Sequence, residues 1–437
     1  MWKLVMYPST GAIPNVAWGA GPGILAPEER VHLRALASRV AEIAAAPVYA
    51  EKKTLWRRHN DLERPRPMLL VFPEDGWKDV LPVATAVTVK DPFWGQYEWI
   101  LKHLIHRHER LHDDFVVEAV LNVPLAMKMG GWGIEAAKVH ESEEADGSFN
   151  WTPPLQDPDD LKKMHPATIE ADFETMEKQR AALEEVFGGI VRIEVAKLGV
   201  TSCIYDIATH LRGIQQCMLD MYDRPEWLHE LMTFLSGEAA RQADFAEKNN
   251  LLMLNNGYHY IGSGGLGYTS RLPAQGFDGE HVRPEDVWGV GIAQGASEIG
   301  PEQHDEFILR YEEKLLARCG LVAYGCCEPY THKFDVVKRR LPNLRRMSVS
   351  PWCDVEKAAE ALQDRYIFSW KPNPAMLLGK FDQEAIRRTI RRTLDVARGC
   401  AVEIILKDTM TFAGEPQRLE SFIRIAREEI DREGLTT

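Results

Sequence analysis

From Phe115 onward the chain alternates short apolar runs with amphipathic stretches, and this rhythm constrains the fold more than any other feature. The runs fall at residues 115–123, 190–196, 251–254, 286–293, 321–324, 344–349, 366–370 and 401–406. Between and after them, stretches such as 170–187, 208–223, 301–318, 334–340, 355–363, 383–398 and 416–432 repeat apolar residues at helical spacing. Strands covered by helices on their outer face read as near-continuous apolar runs, and a helix between successive strands makes them parallel. An earlier run, Met68 to Phe72, is bounded by prolines and adds another strand. A count near eight predicts a closed (β/α)8 TIM barrel within the α/β class, with an N-terminal helical extension and insertions.

The extension is assigned to residues 1–63 and the barrel to 64–437. Residues 1–25 are rich in Gly and Pro and read as an irregular arm. Helices are expected over 27–46 and 50–61, and another over 91–113. The segment 140–160 is acidic and turn-rich and reads as a surface insertion.

The net charge of −13, from 52 basic and 65 acidic residues, argues against a nucleic-acid partner, because phosphate binding needs a basic face. No apolar stretch is long enough for a membrane span, and the start lacks a signal-peptide pattern. Seven cysteines without a signal favour reduced thiols and a cytoplasmic location.

In a parallel barrel, ligands bind at the carboxyl ends of the strands. The run ending at Tyr324 delivers Gly325-Cys326-Cys327-Glu328 there. Thiolate plus carboxylate suits Zn²⁺. The same residues also read as small buried hydrophobes followed by a helix-capping carboxylate. Other strand ends offer His259 flanked by Tyr258 and Tyr260, Gln294, Lys371 with Asn373, and Lys407-Asp408. The structural alternatives are a packed aromatic cluster for His259, a turn for Asn373, and mutual pairing for Lys407 and Asp408.

Two motifs match by letter. His108-Glu109-Arg110-Leu111-His112 spells the HExxH of zinc proteases, but its setting is charged and reads as a solvated helix. Gly262-Ser263-Gly264-Gly265-Leu266-Gly267 spells a dinucleotide fingerprint, but Pro273 follows where a helix is required, so it reads as a flexible loop over the barrel mouth. No P-loop and no nucleophile elbow occur.

The order of segments from Arg64 to Arg432 resembles the uroporphyrinogen decarboxylase superfamily, more closely its corrinoid-dependent methyltransferase branch. The resemblance rests on Arg64-Pro65-Arg66-Pro67 before a strand, on Ser297-Glu298-Ile299-Gly300-Pro301 before a helix with Phe307, and on the spacing of the last four βα units. The branch carries His-x-Cys-Gly where this chain has Gly325-Cys326-Cys327-Glu328, so Cys327 falls on its thiol ligand and Gly325 on its histidine. The last family ligand falls near Asp408-Thr409. The resemblance therefore implies a zinc site of Cys327, Glu328 and Asp408, two of them substituting for lost ligands. Within that reading, the strand-end residues His259, Lys371 and Lys407 are expected to be catalytic, and Tyr258, Tyr260, Trp288, Gln294 and Asn373 to contact substrate. The implied activity moves a methyl group between a small methylated substrate, such as an aryl methyl ether, and a corrinoid carried by a separate protein. A homodimer fits the family. A metal-free decarboxylase or lyase is the alternative.

Overall fold

The computed structural model describes residues 21–135, 137–140 and 149–434. Seven parallel strands form the central sheet. In chain order, with a separate parallel pair included, the strands are β1 (Met68–Val71), β2 (Val120–Val123), β3 (Arg192–Val195), β4 (Val200–Ser202), β5 (Trp288–Gly291), β6 (Leu321–Tyr324), β7 (Leu344–Val349), β8 (Ile367–Trp370) and β9 (Ala401–Leu406). The sheet runs β1-β9-β8-β7-β6-β5-β4, and β2 pairs with β3 alone. Every residue of β1, β5, β6, β8 and β9 is buried, as the apolar runs require.

The mixed α/β class and the parallel sheet match the sequence rhythm. A closed ring is not what the ladders describe: they join seven strands and leave β2 and β3 as their own pair. The expected strand at 251–254 is reduced to one bridge, Leu252 to Leu198. Strand β4 lies between the run expected at 190–196 and the helix expected at 208–223, and that helix breaks at Gly213 into Ile204–Arg212 and Ile214–Asp223. The helix expected over 301–318 contains a π-helical turn, Asp305–Leu309. Residues 141–148 of the acidic insertion lie outside the described residues. Among the described residues no helix is long and apolar enough to cross a membrane.

Helices α1 (Pro27–Ala44) and α2 (Pro47–Asn60) form the extension. Helix α2 sends Trp56, His59 and Asn60 into the fold, all fully buried. There they meet the glycine-rich loop. Asn60 Nδ2 donates to the carbonyls of Leu266 and Tyr268, both at 2.7 Å. Trp288 Nε1 donates to the Gly267 carbonyl at 3.0 Å. A Cβ on Gly265 would collide with the Trp56 ring, so only glycine lets the backbone pass. The loop expected to lie over the mouth is therefore packed inside the fold. Close approach to protein, not to a pyrophosphate, explains its glycines.

That interior holds a charged group. Arg346 of β7 pairs with Glu403 of β9 at 2.9 Å. His59 Nε2 lies 3.2 Å from the second Glu403 oxygen, and the Gly265 N–H donates to the first at 3.1 Å. Burial alone would raise the Glu403 carboxyl, but Arg346 and His59 bring it down to about 2.

The HExxH match dissolves in the fold. The helix Pro92–Arg110 ends before His112, which is exposed, so the two histidines do not share a helical face. His108 Nδ1 instead meets Tyr49 OH at 3.0 Å.

Candidate active site

The carboxyl ends of the strands share one rim. Backbone bonds continue the ladders past the strands: Gly325 N to Gly291 O at 2.8 Å, Lys371 N to Val349 O at 2.9 Å, and Phe72 N to Leu406 O at 2.7 Å. The residues after β1, β5, β6, β8 and β9 are therefore held side by side.

After β6 the chain turns at Gly325, whose φ is +95°; a Cβ there would meet Tyr330 and Ser348. The turn brings Cys326 and Cys327 together, with their Sγ atoms 3.4 Å apart. Lys407 Nζ donates to Cys326 Sγ at 3.3 Å and pairs with Asp408 at 3.0 Å. The Cys327 thiol lies 3.0 Å from Asp408 Oδ2. Glu74, after β1, places Oε1 3.8 Å from Lys407 Nζ. Gln294 Nε2, after β5, is 3.9 Å from Cys327 Sγ.

The electrostatics follow from this packing. The Cys327 thiol and the Lys407 ammonium both favour a Cys326 thiolate and outweigh burial, bringing that thiol down to about 6. Cys327 is driven the other way, by its bond to the Cys326 sulfur, by burial and by the neighbouring charge. One thiolate and one thiol therefore sit side by side. Burial lowers Lys407, but the thiolate more than restores its charge. Burial raises Glu74 to about 7 despite Lys407. Burial likewise raises Asp206 to about 7; its Oδ1 accepts the Gly295 N–H at 2.7 Å. Glu74 and Asp408 both have positive φ, 49° and 58°. Strained non-glycine backbone of this kind concentrates at functional sites.

The structure thus gathers Cys327, Asp408, Lys407 and Gln294 from the expected set. Tyr260 joins them: its ring packs on Phe72 at 3.9 Å, and it interacts electrostatically with Lys407. Its hydroxyl is buried without a hydrogen-bond partner.

Glu328 is turned elsewhere. One carboxylate oxygen accepts from Ala293 N at 3.0 Å and from Tyr330 OH at 2.5 Å; the other accepts from Cys326 N at 3.0 Å. Its donors are protein groups, which leaves little of it for a metal. Among the described residues no group of three His, Cys, Asp or Glu side chains is arranged to hold a metal ion. The Lys407 ammonium already supplies a cation beside the sulfurs. The expected trio of Cys327, Glu328 and Asp408 is therefore not brought together: Cys327 and Asp408 are in contact, and Glu328 is bonded elsewhere.

The five other expected residues lie apart. His259 stacks on Tyr258, ring centroids 4.3 Å apart, and burial lowers it to about 4. Tyr258 OH reaches Glu194 of β3 at 3.4 Å, so this pair belongs to the β2–β3 side. Trp288 opens β5 at the amino end of the sheet, fully buried beneath the Arg346 guanidinium at 5.0 Å. Asn373 Oδ1 takes the Ala375 N–H at 2.9 Å and caps the turn that follows, the structural alternative noted above. Lys371 is buried and turned back onto Ser369, donating to its carbonyl at 3.0 Å and its hydroxyl at 2.8 Å. Burial lowers Lys371 to about 8, against the pull of Glu403 and Cys326. It bridges the interior charge group and the cysteine rim.

The chain matches no family model, and no curated protein matches it. Among solved structures, a methyltransferase from Methanosarcina mazei is similar at a TM-score of 0.45 and 11% identity, over 86% of this chain and 98% of that one. A likeness this distant leaves the reaction to be argued from the site.

Two site carboxylates escaped sequence reasoning. Glu74 directly follows Pro73 at the end of a recognised strand, so a search of every strand end for titratable residues would have found it. Asp206 follows β4, which carries no readable strand signal.

Proposed function

We propose that the chain is a methyl-transfer enzyme that activates its leaving group with a proton rather than a metal. The Cys326–Lys407–Glu74 group at the carboxyl rim carries this reading. A methyl group on oxygen is a poor electrophile, and its departure needs charge neutralised on the leaving atom. Glu74 is a carboxyl close to half-protonated near neutrality, and Lys407 stands beside it. As the methyl–oxygen bond breaks, its electron pair stays on oxygen and Glu74 delivers a proton there. The Lys407 ammonium stabilises the developing anion, and the Cys326 thiolate and Asp408 hold Lys407 in place. Gln294, Cys327 and Tyr260 border the space where the substrate would sit.

The acceptor in this reading is a corrinoid carried by a separate protein, a part that rests on the sequence resemblance. The fold belongs to the same reading. In that reading β3 and β4, separated only by residues 196–199, count as one bent strand, which brings the number of strands to eight.

The test is turnover of methoxyaromatic compounds with a competent corrinoid protein, beside elemental analysis of wild type and Cys327→Ala. Turnover without stoichiometric zinc, lost in Glu74→Gln and Lys407→Met, is the expected result. Stoichiometric zinc that disappears in Cys327→Ala overturns the proton-based part. Release of carbon dioxide from a carboxylate substrate, dependent on Lys407 and Lys371, would instead select a decarboxylase.

A further inference from the structure

Consecutive side chains of an extended strand point to opposite faces, so neighbouring cysteines ordinarily keep their sulfurs apart. Here the turn at Gly325 abolishes that alternation and leaves the two Sγ atoms 3.4 Å from each other. The pair is also differentiated. Cys326 is bonded to the Lys407 ammonium at 3.3 Å, and Cys327, the less buried of the two, to Asp408 at 3.0 Å. A sulfur beside a cation attacks an oxidant, and a second sulfur in contact completes a disulfide. Of the remaining cysteines, Cys217, Cys319, Cys353 and Cys400 are buried, and Cys353 Sγ accepts the Tyr330 N–H at 3.2 Å.

We infer that Cys326 and Cys327 form a peroxide-sensitive vicinal disulfide that switches the site off. The step balances. The Cys326 sulfur attacks one peroxide oxygen, a sulfur–oxygen bond forms, the oxygen–oxygen bond breaks, and hydroxide leaves with a proton as water. The Cys327 sulfur then attacks Cys326, giving its proton to the departing oxygen, which leaves as a second water. Two thiols are oxidised and one hydrogen peroxide is reduced. Neighbouring Cα atoms are about 3.8 Å apart, shorter than the usual disulfide span, so the bond is strained and readily reduced by thiols. Oxidation removes the anion that faces Lys407 and the thiol that faces Asp408. This regulation acts on the site assigned above to methyl transfer and in that sense rests on that reading.

The test treats the full chain with hydrogen peroxide, blocks remaining thiols, and weighs the tryptic peptide from Cys319 to Lys333. Cys326→Ser and Cys327→Ser are run beside wild type, each first checked by its thermal transition. The peptide is expected to lose two hydrogens, to regain them with dithiothreitol, and to show no such loss in either variant. Methyl-transfer activity is expected to fall about tenfold and to recover with the thiols. Irreversible oxygen addition to Cys326, or a two-hydrogen loss that survives either variant and so involves Cys319, overturns the proposal. The mass readout needs no substrate, so it stands or falls separately from the methyl-transfer assay.

Discussion

Two charged groups sit at different heights of one sheet, and they are built for opposite ends. Toward the amino end, Glu403 is fully buried, and both its oxygens are met by Arg346, His59 and the Gly265 N–H. At the carboxyl rim, Lys407 is also buried, but its carboxylate partners are only partly so: Asp408 and Glu74 expose about two-fifths of their side chains, 41% and 37%. Buried charge is retained only where partners compensate it. The inner group answers that with protein alone. The rim group leaves sulfur and carboxyl oxygen facing outward, where a substrate can complete it.

The largest effect should come from breaking the inner group. Glu403→Ala leaves the Arg346 guanidinium buried and unpaired, which costs about 3–5 kcal/mol, read by urea denaturation. The alkylation profile of Cys326 should barely move. If it moves as far as stability does, the two groups are one system, coupled through Lys371. Acid gives the same test without mutation. The Glu403 carboxyl sits at about 2 in the fold, against about 4.3 in an unfolded chain. Between those values the unfolded chain binds more protons. The stabilisation is complete above the higher value and is lost as pH falls toward the lower one.

A smaller effect is expected at the loop that seals the interior. Gly265→Ala drives a methyl into the Trp56 ring, and overpacking of this kind costs about 1–3 kcal/mol. Thermal unfolding measures it. Unchanged stability would mean that α2 and the loop separate easily, and that the interior is open rather than sealed.

The rim was more legible in the sequence than the interior, and the reason is physical. Strands β6, β7 and β9 stand out as apolar runs with the observed bounds, so the sequence alone puts Cys327, Lys407 and Asp408 at strand ends. The interior loop carries no apolar periodicity. Its glycines look like mobility in one dimension, and only the approach of Trp56 shows that they serve packing. The direction of Glu328 was hidden for a related reason. A carboxylate beside two cysteines suggests a ligand by type, but its direction is set by Ala293 and Tyr330, which no local pattern reveals. Strand β4 is three residues long and was hidden by the polar residues of its own span.

A finer test separates the two supports of the Cys326 thiolate. The Cys327 thiol contributes more than the Lys407 ammonium, so Cys327→Ala should raise the midpoint of Cys326 alkylation by iodoacetamide further than Lys407→Met does. Both should move it from about 6 toward the ordinary thiol value of about 8.5, slowing alkylation at neutral pH. The reverse order would make the ammonium the principal support.

The smallest expected effect on stability belongs to Lys407→Met, and it sharpens the contrast most. Removing Arg346 or Glu403 strands a charge that has no route to water. Removing Lys407 does not, because Cys326 can take up a proton and become a neutral thiol. The pair disappears together, and a methionine of similar length fills the space with apolar surface. Stability should therefore change by less than about 1 kcal/mol, as for replacing a buried ion pair rather than halving it. Turnover should nevertheless be lost, since Glu74 and the leaving atom have lost their cation. Urea denaturation and the methyl-transfer assay on the same preparation check both halves. A large loss of stability would mean that Lys407 serves the fold as Arg346 does, and that the rim is structural after all.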